Sequence, residues 1–236
     1  ADIDPGQSID LTYEATVDPG SGAAATLTNN ANATTTSLPG GGGRTSTSPN
    51  NPDPDAYSED ASSGVQLTAA QIDKNRTTSV DQPGNDPNTD ATIGEEITYT
   101  VDVTIPGGTT LFQPQIVDDY DQARISISGV GLSGTADDGN WNVLNSGTPI
   151  TITRDPGSNF YANDVDPPVD QILTLTYTGT VLNVGGNTAG DTVGNTANLT
   201  WNAEDGANQQ TAGPATTTTT IVEPNLGITK TNDTGG

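Results

Sequence analysis

The chain has 236 residues, with 30 acidic against six cationic side chains, a formal charge of −24, and no His, Cys or Met. Nucleic acid and anionic membrane are excluded as partners, because phosphate binding needs clustered Lys and Arg; disulfides, thiolate metal centres and histidine acid–base chemistry are excluded as well. Only 30% of residues are hydrophobic and 4% aromatic, and the Thr, Asn, Gly and Ser that fill the rest suit the half-wet pleated sheets of an all-β extracellular protein.

In chain order, residues 1–40 carry Leu11-Thr12-Tyr13-Glu14-Ala15-Thr16-Val17 and then Asn29-Asn30-Ala31-Asn32-Ala33-Thr34. Both strings recur downstream, as Leu175-Thr176-Tyr177-Thr178-Gly179-Thr180-Val181 and Asn195-Thr196-Ala197-Asn198-Leu199-Thr200. Repetition at this order predicts that residues 1–40 are the C-terminal part of a preceding β-sandwich. Residues 41–70, opening on a Gly run and rich in Ser, Asn and Pro, read as a linker or long loop.

Residues 71–222 read as one complete β-sandwich. Ile97, Tyr99, Val101, Val103 and Ile105 alternate with polar residues, as do Leu173, Leu175, Tyr177 and Val181, and Pro, Gly and Asn/Asp clusters separate such segments. No segment has a helical apolar period, so no substantial helix is expected and a β-sandwich is. The run Thr216–Thr220 reads as a short extended connector. Residues 223–236, held extended at their start by Pro224, read as the first strand of a following domain or as a donated strand. The chain lacks an initiator Met, which implies a removed leader or an excerpt of something longer, and no stretch suits insertion in a membrane.

The chain has only two lysines, and both fall in matched segments: Ile72-Asp73-Lys74-Asn75 and Ile228-Thr229-Lys230-Thr231. Lysines serving solubility would be scattered, so the amine itself is expected to matter at this position. The strings Gly94-Glu95-Glu96-Ile97-Thr98-Tyr99-Thr100-Val101, Ile116-Val117-Asp118-Asp119-Tyr120, Gly194-Asn195-Thr196-Ala197 and Pro224-Asn225-Leu226-Gly227-Ile228-Thr229-Lys230 resemble the tandem repeat domains of microbial surface proteins. These are similar to the isopeptide-forming domains of fimbrial (pilin) subunits. The resemblance implies tandem immunoglobulin-like sandwiches in a cell-surface stalk or fibre, where a first-strand Lys bonds to a last-strand Asn with a nearby acid assisting.

Side-chain parity tests that implication. If the apolar positions face the core, Lys74 (with Ile72), Asp118 (with Ile116) and Asn195 (with Ala197 and Leu199) all point inward. Burial favours a neutral, nucleophilic amine and a protonated acid. Lys74 and Asn195 are therefore the candidate crosslink, Asp118 the assisting acid and Asp119 the fallback. Asn29 and Lys230 hold the same positions in the flanking units. A buried Lys–Asp salt bridge is the plainer alternative.

Asn32, Asn75, Asn198 and Asn232 begin glycosylation sequons, with Asn32 and Asn198 at one repeat position, pointing outward. Asn50–Asp55, Asp137–Asp138 and Asn163–Asp166 offer oxygen ligands for calcium, but none completes a calcium loop, and such runs also serve turn geometry. No cofactor is expected. Carboxylates at turns, without a cleft, do not suit turnover catalysis. Together these features point to a structural subunit of an extracellular filament, pilus-like fibre or cell-surface stalk, partnered with itself head to tail or with tandem neighbours. The alternative is an adhesin or carbohydrate-binding module, with Trp141 or Trp201 stacking on a sugar.

Overall fold

The computed structural model describes residues 8–18, 20–36, 56–147, 149–223 and 230. Among them there are thirteen strands and no helix. In chain order they are β1 (Thr26–Thr36), β2 (Ala56–Gln66), β3 (Gln71–Thr78), β4 (Asp90–Ala91), β5 (Glu96–Ile105), β6 (Thr110–Tyr120) and β7 (Ile125–Ser133). Then follow β8 (Trp141–Asn145), β9 (Ile150–Arg154), β10 (Phe160–Ala162), β11 (Gln171–Val181), β12 (Thr192–Glu204) and β13 (Ala207–Ile221). No helix of the described residues is long and apolar enough to cross a membrane.

Two sheets pack face to face. One has the order β3-β5-β11-β7. The other runs β4-β13-β12-β6-β9-β8, with β10 also on β6. These orders parallel the two sheets of an immunoglobulin-like sandwich, except that β7 precedes the edge pair β8–β9 in the chain. The alternation is strict where both neighbours are present: β11 buries every second residue from Gln171 to Val181, and β5 does so from Ile97 to Ile105. The threonines between them tile the outer face, where Thr98 faces Thr178 and Thr100 faces Thr176. Such β-branched cross-strand pairs stabilise a sheet that is wet on one side. The core between the sheets includes Ile97, Tyr99, Leu111, Ile116, Ile150, Ile152, Leu173, Leu175, Tyr177, Leu199 and Trp201, all at most 2% exposed. Burial of each such side chain contributes about 1.5–3 kcal/mol.

Three expectations differ from this arrangement. The run Thr216–Thr220 is no connector: it lies in β13, paired along β12 with Thr192 to Thr196. Its threonines fit a pleated ladder because every second one turns to the core, Thr219 being 1% exposed. Within residues 41–70, Ala56–Gln66 is a strand paired with β1 along its whole length; its polar composition hides the alternation because β1–β2 has no covering layer. Leu11–Val17, matched to a strand by repetition, is not one here and exposes Leu11 and Tyr13.

The β1–β2 ribbon copies β12–β13. Asn29 faces Ser63 and Ala31 faces Ala61, as Asn195 faces Thr217 and Ala197 faces Ala215. Its base is seated on the sandwich. Ala23 N–H donates to the Thr110 carbonyl at 2.8 Å, Thr110 N–H to the Ser21 carbonyl at 2.8 Å, and Trp201 Nε1–H to the Ala23 carbonyl at 3.0 Å. Gly22 allows that seat, since a Cβ there would stand 1.9 Å from the Ala203 carbonyl oxygen. Gly22→Ala should unseat the ribbon: hydrogen exchange at Ala23 should quicken at least tenfold, equivalent to about 1.4 kcal/mol, while Val101 in the core keeps its protection.

At the far edge, Arg154 closes β8 and β9. Its guanidinium grips Asp138 through two bonds of 2.6 and 2.9 Å and lies 4.9 Å from the Trp141 ring centre. The Arg154 hydrogen bonds hold the Asp138 carboxyl at a pKa of about 2, below its ordinary 3.8. The stabilisation is complete above the ordinary value and is lost as pH falls through about 2. Asp138→Asn should therefore melt below the parent at neutral pH, and the gap should close as acid titration passes about 2.

Candidate functional site

The site lies inside the sandwich, between its two sheets. Lys74 comes from β3, the edge of the four-stranded sheet, and its neighbours Gln71, Asp73 and Asn75 face out while Ile72 faces in. On the opposite sheet Asp118 of β6 sits directly across from Ala197 of β12, and Asn195 is the next inward residue of β12. The small Ala197 leaves space beside the carboxylate. From the Lys74 side, β11 contributes Tyr177, paired across the strands with Tyr99 of β5. Their rings stack 5.1 Å apart. Gly179, the next inward residue after Tyr177, makes this stack possible, because a Cβ there would meet Ile125 at 2.8 Å and the Tyr99 ring at 3.0 Å.

These residues share one hydrogen-bond cluster. Lys74 Nζ donates to Asp118 Oδ2 at 2.5 Å and to the Tyr177 hydroxyl at 3.3 Å. The Tyr177 hydroxyl donates to Asp118 Oδ2 at 3.0 Å, and Asn195 Nδ2 donates to that hydroxyl at 2.5 Å. With one hydroxyl as common partner, Nζ and Nδ2 lie within two hydrogen-bond lengths of each other. The Lys74 and Asp118 side chains have no solvent exposure, and Asn195 is 1% exposed. The ammonium also stands 5.3 and 5.4 Å from the centres of the Tyr99 and Tyr177 rings.

Burial sets the electrostatics. Desolvation lowers the pKa of Lys74, with the attraction of Asp118 opposing it. Desolvation raises that of Asp118, with Lys74 and the Tyr177 hydrogen bond opposing. Both groups are thus pushed toward their neutral forms, amine and carboxylic acid. Burial, then the Asp118 charge, raises the Tyr177 pKa far enough that the phenol stays protonated. Asp118 Oδ1 and Asn195 Oδ1 have no hydrogen-bond partner. The Tyr99 hydroxyl lies beside Asn195 without completing a bond to it. A buried ion pair with unsatisfied oxygens is a costly ground state.

Lys74, Asp118 and Asn195 are therefore brought together, and the other candidates are not. Asp119 is exposed on the opposite face of β6, since neighbouring residues of a strand alternate, so it cannot serve as the fallback acid. Asn195 lies on β12, one strand before the last of the described strands, because Thr216–Thr220 continues the sheet as β13. Asn29 is exposed on a ribbon with no covering sheet, and Lys230 is exposed. Asn75 and Asn198 are exposed on strand faces; Asn32 is exposed with Nδ2 on Asp60 at 2.6 Å. Asn232 and Asn50–Asp55 lie outside the described residues, as does most of 223–236.

Tyr177 and Tyr99 were not among the sequence candidates. Their signal was parity, both being inward members of alternating segments, and for Tyr177 the recurrence of Leu-Thr-Tyr at Tyr13. Trp141 and Trp201 are 8% and 2% exposed, so neither offers a face to a sugar. No three acidic side chains of the described residues are placed to hold a metal ion. Asp138 is committed to Arg154, and Asn163 donates to the Ile105 and Val169 carbonyls. The surface hollows near Asn32 and near Gln113 are shallow and lined mostly by polar residues.

Neither a family model nor a curated protein sequence matches the chain. It is similar to solved pilin and antigen I/II structures. The full-length major pilin SpaD of Corynebacterium diphtheriae aligns at 15% identity and a TM-score of 0.46, over 65% of this chain and 35% of that one. The C-terminal domain of the antigen I/II-family protein AspA of Streptococcus pyogenes aligns at 15% and 0.44, over 70% and 50%. The major pilin subunit BcpA of Bacillus cereus aligns at 14% and 0.43, over 69% and 44%. The chain spans at most half the length of these three, and likeness at this level carries no argument about activity.

Because the chain has only two lysines, their burial is directly measurable. Under native conditions an amine-acylating reagent should modify Lys230 and leave Lys74 untouched, as read by peptide mass mapping.

Proposed function

We propose that the chain is a structural module of an extracellular, cell-surface filament, pilus-like fibre or stalk, in which each β-sandwich is locked by an amide between Lys74 and Asn195. One observation carries this reading: a fully buried amine, carboxyl and carboxamide joined through one hydroxyl, bridging the two sheets of a sandwich.

The chemistry follows from the ground state. Lys74 passes a proton to Asp118 across their hydrogen bond, leaving a neutral amine and a neutral acid. Nζ attacks Cγ of Asn195, the C–Nδ2 bond breaks, and ammonia leaves. An ammonium, a carboxylate and a carboxamide become a secondary amide, ammonia and a protonated Asp118, so atoms and charge balance with no co-reactant. The buried charge pair is removed in the process. The step occurs once per domain and is self-modification, not turnover.

The bond would close a loop of about 120 residues, which by the chain-entropy argument used for disulfides stabilises the fold by about 5 kcal/mol. It would also join the sheets directly, so tension passes through covalent bonds between β3 and β12. The copied ribbon β1–β2 supports reading residues 1–40 as the end of a preceding sandwich, and Lys230 as the matching amine of a following one. Self-association in tandem or head to tail is the partner relation this implies. The surface around Asn75 and Asn198 is accessible to glycosylation.

Intact mass under denaturing conditions tests the bond. The chain should be lighter than its sequence by one ammonia, and Lys74 should resist acylation even when unfolded. A full mass with a reactive Lys74 would leave only a buried salt bridge. Asn195→Ala should restore the full mass and lower Tm by roughly 10–20 °C, the equivalent of losing the loop-closure term.

A further inference from the structure

We propose that Tyr177 is the proton relay of this reaction: its phenol carries the proton of Asp118 to the departing nitrogen of Asn195. The inference rests on the Lys74–Asn195 reading and concerns how the leaving group is released.

An amide nitrogen leaves as ammonia only if it gains a proton as the C–N bond breaks. Asp118 is the acid of the site, yet its hydrogen bonds go to Lys74 and Tyr177. The Asn195 nitrogen bonds to Tyr177 in turn. The path from acid to leaving nitrogen therefore runs through the Tyr177 oxygen. That oxygen has one hydrogen to give and two lone pairs. In the resting arrangement the hydrogen goes to Asp118 and the lone pairs face Nδ2 at 2.5 Å and Nζ at 3.3 Å. This also fixes the carboxamide: with its hydrogen committed to Asp118, the phenol can only accept from Asn195, so the amino end must face it.

The relay follows in balanced steps. Lys74 gives one proton to Asp118 Oδ2. After Nζ has attacked Cγ, the Tyr177 hydroxyl turns its hydrogen from Asp118 to Nδ2 and passes it on, while the protonated acid donates to the Tyr177 oxygen. The C–Nδ2 bond breaks with its electron pair on nitrogen, and ammonia departs. The second proton shed by Nζ returns to Asp118. Tyr177 begins and ends as a neutral phenol and never ionises, which suits a group whose phenolate burial disfavours. The N-terminal copy holds a tyrosine at the matching place, Tyr13 ahead of Asn29 as Tyr177 stands ahead of Asn195.

The test compares the full chain with Tyr177→Phe, which keeps the ring stacked on Tyr99 and removes only the hydroxyl. Both are sampled by intact mass through expression and after purification, with circular dichroism to check folding. The expected result is a wild type lighter by one ammonia and a folded Tyr177→Phe largely at full mass, converting about 100-fold more slowly or less, the share that proton transfer supplies. Conversion of Tyr177→Phe at the wild-type rate overturns the relay and leaves the amide standing. A wild type at full mass overturns the amide, and the relay with it. Should Tyr177→Phe not fold, a crystal structure of Lys74→Met, which cannot react, decides the matter. The Tyr177 hydroxyl is expected between Asp118 and the Asn195 nitrogen; a carboxamide turned directly onto Asp118 overturns the relay.

Discussion

Removing one amine from water is the constraint around which this sandwich is organised. An ammonium without solvent must find charge or hydrogen bonds, or give up its proton. Lys74 has one carboxylate oxygen, one phenol and two ring faces. Two further buried oxygens, on Asp118 and Asn195, have no donor. The cluster is thus short of hydrogen bonds at the level of the core where the sheets meet. Replacing a buried pair by apolar residues is often neutral or stabilising in other proteins, so an imperfectly satisfied pair at the centre of a core calls for a chemical reason. The proposed condensation would provide one, since it would remove both charges and the surplus amide nitrogen together.

The fold positions this chemistry by register rather than by loops. Four different strands supply Lys74, Asp118, Tyr177 and Asn195, each on a segment where every second residue faces the core. A slip of one residue in any of them would move its group to solvent. Space is made by Ala197 opposite Asp118 and by Gly179 beneath the Tyr99 ring. Sites on paired strands hold their geometry more tightly than sites on loops, and proximity of this kind is what a slow condensation needs.

Much of this was legible from alternation alone. Parity put Lys74, Asp118 and Asn195 on inward faces and Asn198 on an outward one, because a strand's period of two leaves little freedom. What parity could not give was the distance between segments far apart in the chain, so Tyr177 stayed one inward aromatic among several. Asp119 shows the same rule from the other side: alternation turns it to solvent once its neighbour is committed to the core. β2 reads as linker or loop because both faces of its ribbon are wet, and a strand without a core has no hydrophobic pattern to show. Thr216–Thr220 misled for a related reason, since five identical residues carry no alternation even when every second one is inward.

Because Asn195 stands on β12, the rest of that strand and β13 lie outside any ring closed between Lys74 and Asn195. Pull such a domain by its ends, with the amide formed, and the segments between Lys74 and Asn195 bear nothing. Only the rest of β12 and β13 can then be stripped away, residues 196–221 spanning about 90 Å at full extension before the line goes taut. The module would then act as a shock absorber with a fixed stroke, able to reset when the load is lifted.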